Sequence, residues 1–395
     1  MNYKMLSDFA DVKGGKRLPK GSQLTSTPTA HPYIRVRDLN VEKVLELLPT
    51  YEYVDDETQK TISRYIVNQG DVVISIVGTI GLVSIIGKSL DGANLTENCA
   101  KLVNIDGLNK DFLYYYLMSE DGQNAIKAAT IGAVQAKLPL KNIQALPIPE
   151  LPINEQCAIA NTLSALDVRI ATNAKINHHL EQQCFALYRH FFVEKAMPEW
   201  ESGTISDFGD VVGGSTPSKA KPEYFTKHGI AWITPKDLSV NKSKFIARGA
   251  DDVTELGLRN SSARLMPRGT VLFSSRAPIG YIAIASGEVC TNQGFKSIVP
   301  KQNIGTAFVY FFLKDNLEII ESMASGSTFK EVSGATMKGI PAVIPDTQTL
   351  TKFNEACAPM FEQQELLEQE NAKLAGLRDT LLPRLMSGEL SVDNL

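Results

Sequence analysis

The sequence lacks the features that most often mark catalysis, metal binding or a membrane span. Its 395 residues include five cysteines and five histidines, with no Cys-x-x-Cys pair and no His spacing typical of a metal site. No apolar run reaches the roughly 18 to 20 residues that cross a bilayer. The stretch GGSTPSK (Gly213–Lys219) lacks the spacing of a phosphate-binding loop. Scattered cysteines are typical of reduced thiols, so we expect a cytoplasmic protein without structural zinc and without a membrane anchor.

Signs of an active site are also missing. The sequence has no Gly-x-Ser-x-Gly motif, and no convincing carboxylate pair occurs twice. Asp38 and Asp237 do follow equivalent segments, but an aspartate in such a place is more often a turn or cap residue than a general base. We therefore expect a binding protein and not an enzyme.

What the chain does have is a long internal repeat. LSDFADVKGG (Leu6–Gly15) returns as ISDFGDVVGG (Ile205–Gly214), which begins 199 residues later. At the same offset, QGDVVISIVGTIGLVSI (Gln69–Ile85) matches RGTVLFSSRAPIGYIAI (Arg268–Ile284). Two copies at so long a period predict two homologous domains and exclude a solenoid of short repeats.

Each copy has the pattern of a mixed α/β domain. The β-branched runs on either side of GTIG and APIG predict a strand pair with a glycine-containing turn. DFLYYYLMSEDGQNAIKAA (Asp111–Ala129) and AFVYFFLKDNLEIIESMA (Ala307–Ala324) each predict an amphipathic helix. The repeat and the helical connectors divide the chain into residues 1–148, 149–195, 196–345 and 346–395.

The two connectors carry apolar residues in alternating steps of three and four, the pattern of a coiled-coil seam. Two such helices in equivalent places of two copies predict an antiparallel pair, although each could instead pack on its own domain. A register in which the numbers of facing residues add to 544 sets Asn173 opposite Asn371, which fixes the register unless both amides lie at the helix surface. Leu166 then faces Arg378. The predicted seam residues are Leu163, Ile170, Asn173, Asn371, Leu374 and Leu381.

Charge is weakly negative overall, with a net charge of −4, but basic residues cluster at equivalent places in the two copies. Seven lysines and arginines stand against two aspartates in residues 1–37, and a similar basic cluster runs through residues 219–248. Such clusters could contact nucleic-acid phosphate at two points, or they could be ordinary solvated loops. Charge alone does not decide between these readings.

Several segments resemble the specificity subunit of type I restriction-modification systems. They are LRDTLLPRLMSGEL (Leu377–Leu390), LPIPELPINEQCAIANTL (Leu146–Leu163), the GTIG and APIG turns, and the double glycine after each opening phrase. The resemblance covers essentially the whole chain. One departure is IPDTQTLTKFNEA, which lacks the Glu-Gln pair that opens the first long helix, so the second helix is expected to be capped differently.

The resemblance implies a pseudo-two-fold α/β (α+β) architecture without catalytic activity. Residues 1–148 and 196–345 would be target recognition domains, each reading half of an asymmetric double-stranded DNA site, and the helical spacers 149–195 and 346–395 would set the distance between the halves. The implied partners are two methyltransferase subunits and the restriction (translocase/nuclease) subunits. S-adenosylmethionine, ATP and magnesium would be bound by those partners, so no cofactor is expected here.

Base-reading residues should differ between the copies, whereas framework residues should match. Arg35-Val36-Arg37 faces Thr234-Pro235-Lys236 in the repeat, and arginine, serine and threonine are side chains that read base edges. About half or more of such contacts go to phosphate. The candidate DNA-binding residues are Lys16, Arg17, Arg35, Arg37, Gln135, Lys137, Lys219, Lys221, Thr234, Lys236, Arg276 and Lys330.

Two other functions stay open from sequence. The chain could be a stand-alone sequence-specific DNA-binding or regulatory protein, which co-purification with a methyltransferase would contradict. It could also be an enzyme with an unrecognised site, which methylation or cleavage by this chain alone would establish.

Overall fold

The computed structural model describes residues 2–39, 42–132, 135–326 and 330–391, and the chain forms two compact units. Unit 1 comprises Met1–Ile170 and Lys373–Leu395, and unit 2 comprises Ala171–Ala372. Each unit combines twisted sheets with helices and takes one part of each long helix. The predicted mixed α/β class with two long helices is confirmed.

The described residues of unit 1 contain ten short strands. They are β1 (Tyr3–Met5), β2 (Asp11–Gly14), β3 (Pro32–Ile34), β4 (Val44–Leu45), β5 (Glu52–Tyr53), β6 (Val72–Ser75), β7 (Val83–Ile86), β8 (Asn94–Leu95), β9 (Cys99–Val103) and β10 (Pro147–Pro149). A five-stranded sheet has the order β2-β9-β6-β7-β4, a three-stranded sheet has the order β5-β3-β8, and β1 pairs with β10. The β6–β7 hairpin is the strand pair predicted around GTIG. Most of its residues are buried because both faces of the sheet are covered.

Most helices of unit 1 pack on this sheet, whereas Ile62 of the first one lies in a cluster with Tyr33 of the three-stranded sheet. They are α1 (Asp56–Ile62), α2 (Lys110–Met118), α3 (Glu120–Ala129), α4 (Leu140–Gln144) and the first part of α5 (Ile153–Arg189). The segment predicted as one helix, Asp111–Ala129, is divided at Ser119, whose extended backbone ends α2. The Ser119 hydroxyl then accepts a hydrogen bond from Gly122 N at 3.2 Å and caps α3, the role serine prefers at a helix start.

Unit 2 repeats the topology with one additional strand. Its strands are β11 (Glu201–Thr204), β12 (Gly209–Gly213), β13 (Phe225–Thr226), β14 (Ile230–Ile233), β15 (Phe245–Ile246), β16 (Asp251–Val253), β17 (Val271–Ser275), β18 (Ile279–Ala285), β19 (Val289–Thr291), β20 (Lys296–Pro300) and β21 (Pro341–Ile344). The five-stranded sheet is β12-β20-β17-β18-β15, in the same order of equivalent strands as in unit 1. The smaller sheet is β13-β16-β14-β19, and at the place of β13 the described part of unit 1 has only an isolated bridge between Thr25 and Tyr53.

The helices of unit 2 follow the same plan. They are α6 (Ile205–Phe208), α7 (Pro235–Val240), α8 (Glu255–Arg259), α9 (Thr306–Asp315), α10 (Leu317–Ser322), α11 (Gly334–Lys338) and α12 (Thr347–Met386), the last of which ends in unit 1. The segment Ala307–Ala324, predicted as one helix, is again divided, here at Asn316. A dense aromatic core lies under these helices, and Phe208, Phe308 and Phe353 are fully buried in it.

The two long helices run antiparallel within unit 2. Asn173 Nδ2 donates to Asn371 Oδ1 at 2.9 Å, the amide contact that the register predicts. Cys184 Sγ and Met360 Sδ are 3.7 Å apart, and their numbers give the same sum of 544. Asn173 is fully buried, so its amide lies in the seam and not at the helix surface.

Within unit 1 the same two helices are also in contact. Arg378 Nη1 donates to Asp167 Oδ1 at 2.8 Å, next to the position at which the register sets Leu166. Leu163 is buried in the main apolar cluster of this unit, and Leu381 packs against that cluster. Each unit therefore holds its own stretch of paired helix.

The start of α12 explains the departure from the Glu-Gln pattern. At the start of α5, Gln156 Nε2 donates to Leu151 O at 2.9 Å, while Gln156 Oε1 accepts from Asn109 N at 2.8 Å. At the start of α12, Asp346 accepts from Thr349 N at 2.9 Å instead. The expected difference in capping is present, since an aspartate supplies the acceptor for the free amides of this first turn.

The double glycine of the repeat has a steric cause. A Cβ atom on Gly15 would lie 2.0 Å from the Thr96 carbonyl oxygen, and one on Gly214 would lie 1.9 Å from the Asn292 carbonyl oxygen. Gly15 therefore allows the backbone after β2 to touch the loop before β9, and Gly214 does the same for β12 and β20. The repeated phrase therefore belongs to the framework that the two units share.

Candidate DNA interface

Arg35 and Arg37 directly follow β3, and both contact the same carboxylate. Arg35 Nη1 and Arg37 Nη2 donate to Glu52 Oε2, the latter at 2.8 Å. Glu52 lies on β5, opposite Tyr33 of β3, so the pairing of these strands sets its position. Asp38 accepts from Arg35 N at 2.7 Å and closes the turn, which confirms that it is a cap residue.

Arg17 lies across a cleft from this cluster. Its Nε donates to Glu97 Oε1 at 2.8 Å. The cleft has a volume of about 450 Å³, and its lining includes Arg17, Arg35, Glu52, Glu97 and Asn98. Burial raises the pKa of Glu97, but the hydrogen bond from Arg17 and further donors outweigh it, so the net pKa is lowered and the carboxylate stays ionised. We call this cleft, together with Arg37 on Glu52 beside it, the arginine cleft.

Lys16 is close to the cleft but has a different contact. Its backbone nitrogen donates to Leu95 O at 2.8 Å, and its ammonium lies 5.4 Å from the centre of the Tyr65 ring. The lysine side chain is exposed. It can reach a phosphate, because no carboxylate contact of the described structure holds it in place.

Gln135 and Lys137 lie beside the β6–β7 turn. Lys137 N donates to Ile131 O at 2.9 Å, Leu138 N donates to Ile76 O at 3.0 Å, and Lys137 bridges to Val77. Both candidate side chains are exposed. The loop before β9 connects this turn to the arginine cleft, because Ile76 N donates to Asn98 O at 2.8 Å. The segments that carry the candidates of unit 1 are thus connected by backbone hydrogen bonds.

In unit 2, the residues after β14 form the capped start of α7 at the place where unit 1 has Arg35 and Arg37. The Thr234 hydroxyl donates to Asp237 Oδ2 at 2.6 Å, and Thr234 N donates to the same oxygen at 2.8 Å. Asp237 is therefore a cap residue, like Asp38. The hydroxyl predicted to read DNA is used in the cap, whereas the side chain of Lys236 is exposed.

The β17–β18 turn of unit 2 also contacts the following loop. Arg276 forms a bridge with Glu331, and its Nη1 lies 3.5 Å from the Glu331 carboxylate. Lys296 Nζ donates to the same carboxylate at 3.1 Å. Lys330 is exposed beside them. This arrangement matches the contact between the β6–β7 turn and Lys137 in unit 1.

Lys219 and Lys221 lie further along unit 2, before β13. Both are exposed. Lys221 Nζ donates to Tyr224 OH at 3.1 Å, a contact that raises the lysine pKa. The described contacts connect Lys221 to the Tyr224 segment and not to the β17–β18 turn.

Sequence reasoning missed the carboxylates that hold the candidate cations. These are Glu52, Glu97 and Glu331. A signal for the first was present, because Asp251 stands 199 residues after Glu52, at the offset of the repeat. Asp251 lies opposite Trp232 just as Glu52 lies opposite Tyr33, but it pairs with Lys227 at 2.6 Å.

Two further findings concern other kinds of site. Among the residues that the structure describes, no group of three or more histidine, cysteine, aspartate or glutamate side chains is placed to hold a metal ion. In the same part of the chain, no helix has both the length and the hydrophobicity needed to cross a membrane.

Comparison with known proteins gives consistent results. A family model described as the type I restriction modification DNA specificity domain matches twice, over residues 1–182 and 197–374. The type I restriction enzyme MjaIX specificity subunit of Methanocaldococcus jannaschii is 39% identical over 186 residues, which cover 45% of this chain and 43% of that protein. The putative MjaX specificity subunit of the same organism is 24% identical over 379 residues, 92% of this chain and 88% of that protein.

The HindI specificity subunit of Haemophilus influenzae is 28% identical over 194 residues, 48% of this chain and 42% of that protein. The matches to MjaIX and HindI thus span less than half of either relative. Among solved structures, the S subunit of a type I restriction-modification system from M. genitalium has a TM-score of 0.60 at 20% identity, over 97% of this chain and 95% of that one. That likeness shows a shared fold.

Proposed function

The chain belongs to the family of type I restriction modification DNA specificity domains, and we propose that it is the DNA-reading specificity subunit of such a complex. Residues 1–148 read one half of a bipartite asymmetric target, and residues 196–345 read the other half. The helical segments 149–195 and 346–395 set the unread spacer between the halves. The chain itself carries out no catalysis.

One observation supports this proposal above the others: two copies of one framework carry different side chains at the same surface. The strand order, the close glycine and the capping aspartate recur. The partly or fully exposed residues after β3 and β14 do not, since Arg35 and Arg37 are replaced by Thr234 and Lys236. Identical scaffolds with different polar surfaces fit two readers of different base sequences.

The partners follow from the same role. We propose that the complex includes double-stranded DNA, two methyltransferase subunits that dock on the long helices, and restriction subunits for translocation and cleavage. Those partners bind S-adenosylmethionine, ATP and magnesium. Because the target is cellular DNA, we expect the complex in the cytoplasm.

The test is to co-express the chain with the methyltransferase subunit of its source cell and to map the methylated adenines. We expect co-purification and one bipartite, non-palindromic motif. Replacing residues 1–148 with the equivalent domain of another family member should change one half-site and leave the other intact. A change in both half-sites would contradict independent reading, and methylation by this chain alone would contradict a non-catalytic subunit.

The helix pair is proposed as the ruler of the spacer. Inserting one heptad after Ile170 and another after Ala372 keeps the seam pattern and adds ~10 Å of helix at 1.5 Å per residue. The unread spacer should lengthen by about 3 base pairs, at ~3.4 Å per base pair, while both half-sites stay the same. An active complex with an unchanged spacer would contradict this role.

A further inference from the structure

We propose that Glu52 is a specificity-determining positioning residue, which holds Arg35 and Arg37 so that they read a guanine edge in the half-site of residues 1–148. This inference rests on the proposed function and assigns a base contact, as opposed to a phosphate contact, to the arginine cleft. It depends on the geometry of one carboxylate and on the charges that surround it.

Glu52 is well placed to fix two long side chains at once. Its carboxylate oxygen Oε2 accepts from both guanidinium groups, and its side chain is 27% exposed. The backbone on both sides is fixed as well, because β5 pairs with β3 and because Asp38 closes the turn at Arg35. Free arginines lose side-chain freedom on binding, so arginines that are already held lose less.

The held arginines keep most of their donors. Arg35 uses Nη1 and Arg37 uses Nη2 on Glu52, and each guanidinium has five N–H groups. Four donors of Arg35 therefore stay available beside Glu52. Arg37 keeps both N–H groups of Nη1 and one of Nη2, because its Nε lies 3.6 Å from Asp38 Oδ1. An arginine fork that meets O6 and N7 of guanine is the commonest specific contact in the major groove.

The charges in the cleft favour a base over a phosphate. Glu52 and Glu97 both line it, and each already neutralises an arginine. The three arginines and two carboxylates of this cluster leave one net positive charge. A phosphate therefore gains only the attraction of that single charge, whereas a neutral base edge can accept from the remaining N–H groups without loss to the carboxylates. Among the described residues, no carboxylate contacts the exposed cations Lys16 and Lys137 in this way, so they are better placed for the DNA backbone.

Unit 2 provides a natural comparison. Asp251 occupies the equivalent strand position, but it pairs with Lys227, and its side chain is 55% exposed. Thr234 and Lys236 stand where unit 1 has its arginines. The position of the carboxylate is kept while its partner is changed, so the guanine contact belongs to unit 1 alone.

The experiment selects preferred duplexes from a randomised pool, using the full chain in its complex with the methyltransferase subunit. The variants are Glu52→Gln and Arg37→Gln, with Asp251→Asn as the matched control. We expect a guanine in the first half-site of the wild-type motif. Glu52→Gln and Arg37→Gln should each reduce the preference for that guanine by about 5- to 150-fold, the effect of losing one good base contact.

A salt titration separates base from phosphate contacts. Loss of one phosphate contact makes the slope of log K against log salt concentration less negative by about 0.9, whereas loss of a base contact leaves it unchanged. We expect an unchanged slope for Glu52→Gln and Arg37→Gln, an unchanged first half-site for Asp251→Asn, and wild-type melting temperatures for all three variants.

Three results would overturn the inference. Arg37→Gln could lower the affinity for all sequences and make the slope of log K against log salt concentration less negative, which would show that Arg37 contacts a phosphate. Glu52→Gln could leave the motif intact, which would remove its positioning role while leaving the proposed function in place. A wild-type complex that selects no sequence at all would overturn the proposed function and the cleft assignment together.

Discussion

The two units contact their parts of the helix pair through lysines in equivalent places but in unlike surroundings. In unit 2, Lys244 directly precedes edge strand β15, and its side chain is 7% exposed. Its ammonium donates to Glu181 at 2.7 Å and to Gln364 at 2.9 Å, and lies 3.4 Å from the centre of the Phe361 ring. Burial lowers the pKa of Lys244, although Glu181 opposes that effect.

In unit 1, Lys43 directly precedes edge strand β4. Its ammonium donates to Ser164 at 2.7 Å and pairs with Asp111 at 2.6 Å, where the carboxylate is 32% exposed. The helix carboxylate Asp167 contacts Tyr115 and Arg378 instead of the lysine. The backbone plan is thus shared, while the partners of the lysine and the access of water differ.

The comparison shows what a repeated framework fixes and what it leaves free. A lysine before the edge strand reaches the long helix in both units, so this geometry belongs to the fold. A buried pair adds little net stability over apolar residues, but removing one partner is costly. A more exposed pair contributes about 0–1 kcal/mol. The two units should therefore respond unequally to the same type of substitution.

The largest difference is expected for removal of the carboxylate partner. Glu181→Ala leaves the buried Lys244 without its main counter-charge and should lower the free energy of unfolding of unit 2 by about 3–5 kcal/mol. Urea unfolding followed by tryptophan fluorescence measures this, because Trp200 and Trp232, the two tryptophans of the chain, both lie in unit 2.

The matched change in unit 1 is Asp111→Ala. It should cost less than the change in unit 2, about 1–2 kcal/mol, since the lost carboxylate is partly exposed and Lys43 keeps its hydrogen bond to Ser164. Hydrogen exchange of the α2 peptide follows that unit. Equal losses in the two units would contradict the proposed effect of burial.

A smaller difference is expected in the helix seam. Asn173 donates to Asn371 at 2.9 Å and to Glu370 at 3.0 Å, so Asn173→Ala removes two partly buried hydrogen bonds and should cost about 1–3 kcal/mol. In unit 1, Arg378→Ala removes an ion pair whose side chains are 32% and 22% exposed, and it should cost about 1 kcal/mol. An Asn173→Ala variant as stable as wild type by urea unfolding would contradict a structural role for the amide pair.

Sequence periodicity was sufficient for features that repeat or alternate. The two hairpins, the antiparallel helices and the Asn173–Asn371 contact follow from patterns along the chain. The divided helices at Ser119 and Asn316 do not, because a cap competes there with an unbroken apolar pattern. The carboxylates that hold the arginines were also missed, since Glu52 meets them only after β3 and β5 pair. Which of the candidate residues contact DNA stays a prediction.

The smallest effect is expected in the response of unit 2 to acid, which depends on Glu181. Burial alone would raise the pKa of Glu181, but Lys244 and Lys314 outweigh it and hold the pKa below its usual value. The folded state therefore favours the ionised carboxylate. Its contribution is complete above the unfolded pKa of about 4.3 and is lost as the pH falls through the lower folded value.

Glu181→Gln should therefore matter most near neutral pH. The difference in unfolding free energy between wild type and this variant should shrink as the pH is lowered from about 6 to 3, because the wild-type carboxylate takes up a proton and loses its attraction to both lysines. Tryptophan fluorescence during urea unfolding at each pH measures the difference. Glu255→Gln is the control for a general charge effect, since Glu255 is in unit 2 with a side chain 76% exposed. If the difference stayed constant across this range, or if Glu255→Gln reproduced it, the buried contact between Glu181 and its lysines would not be its cause.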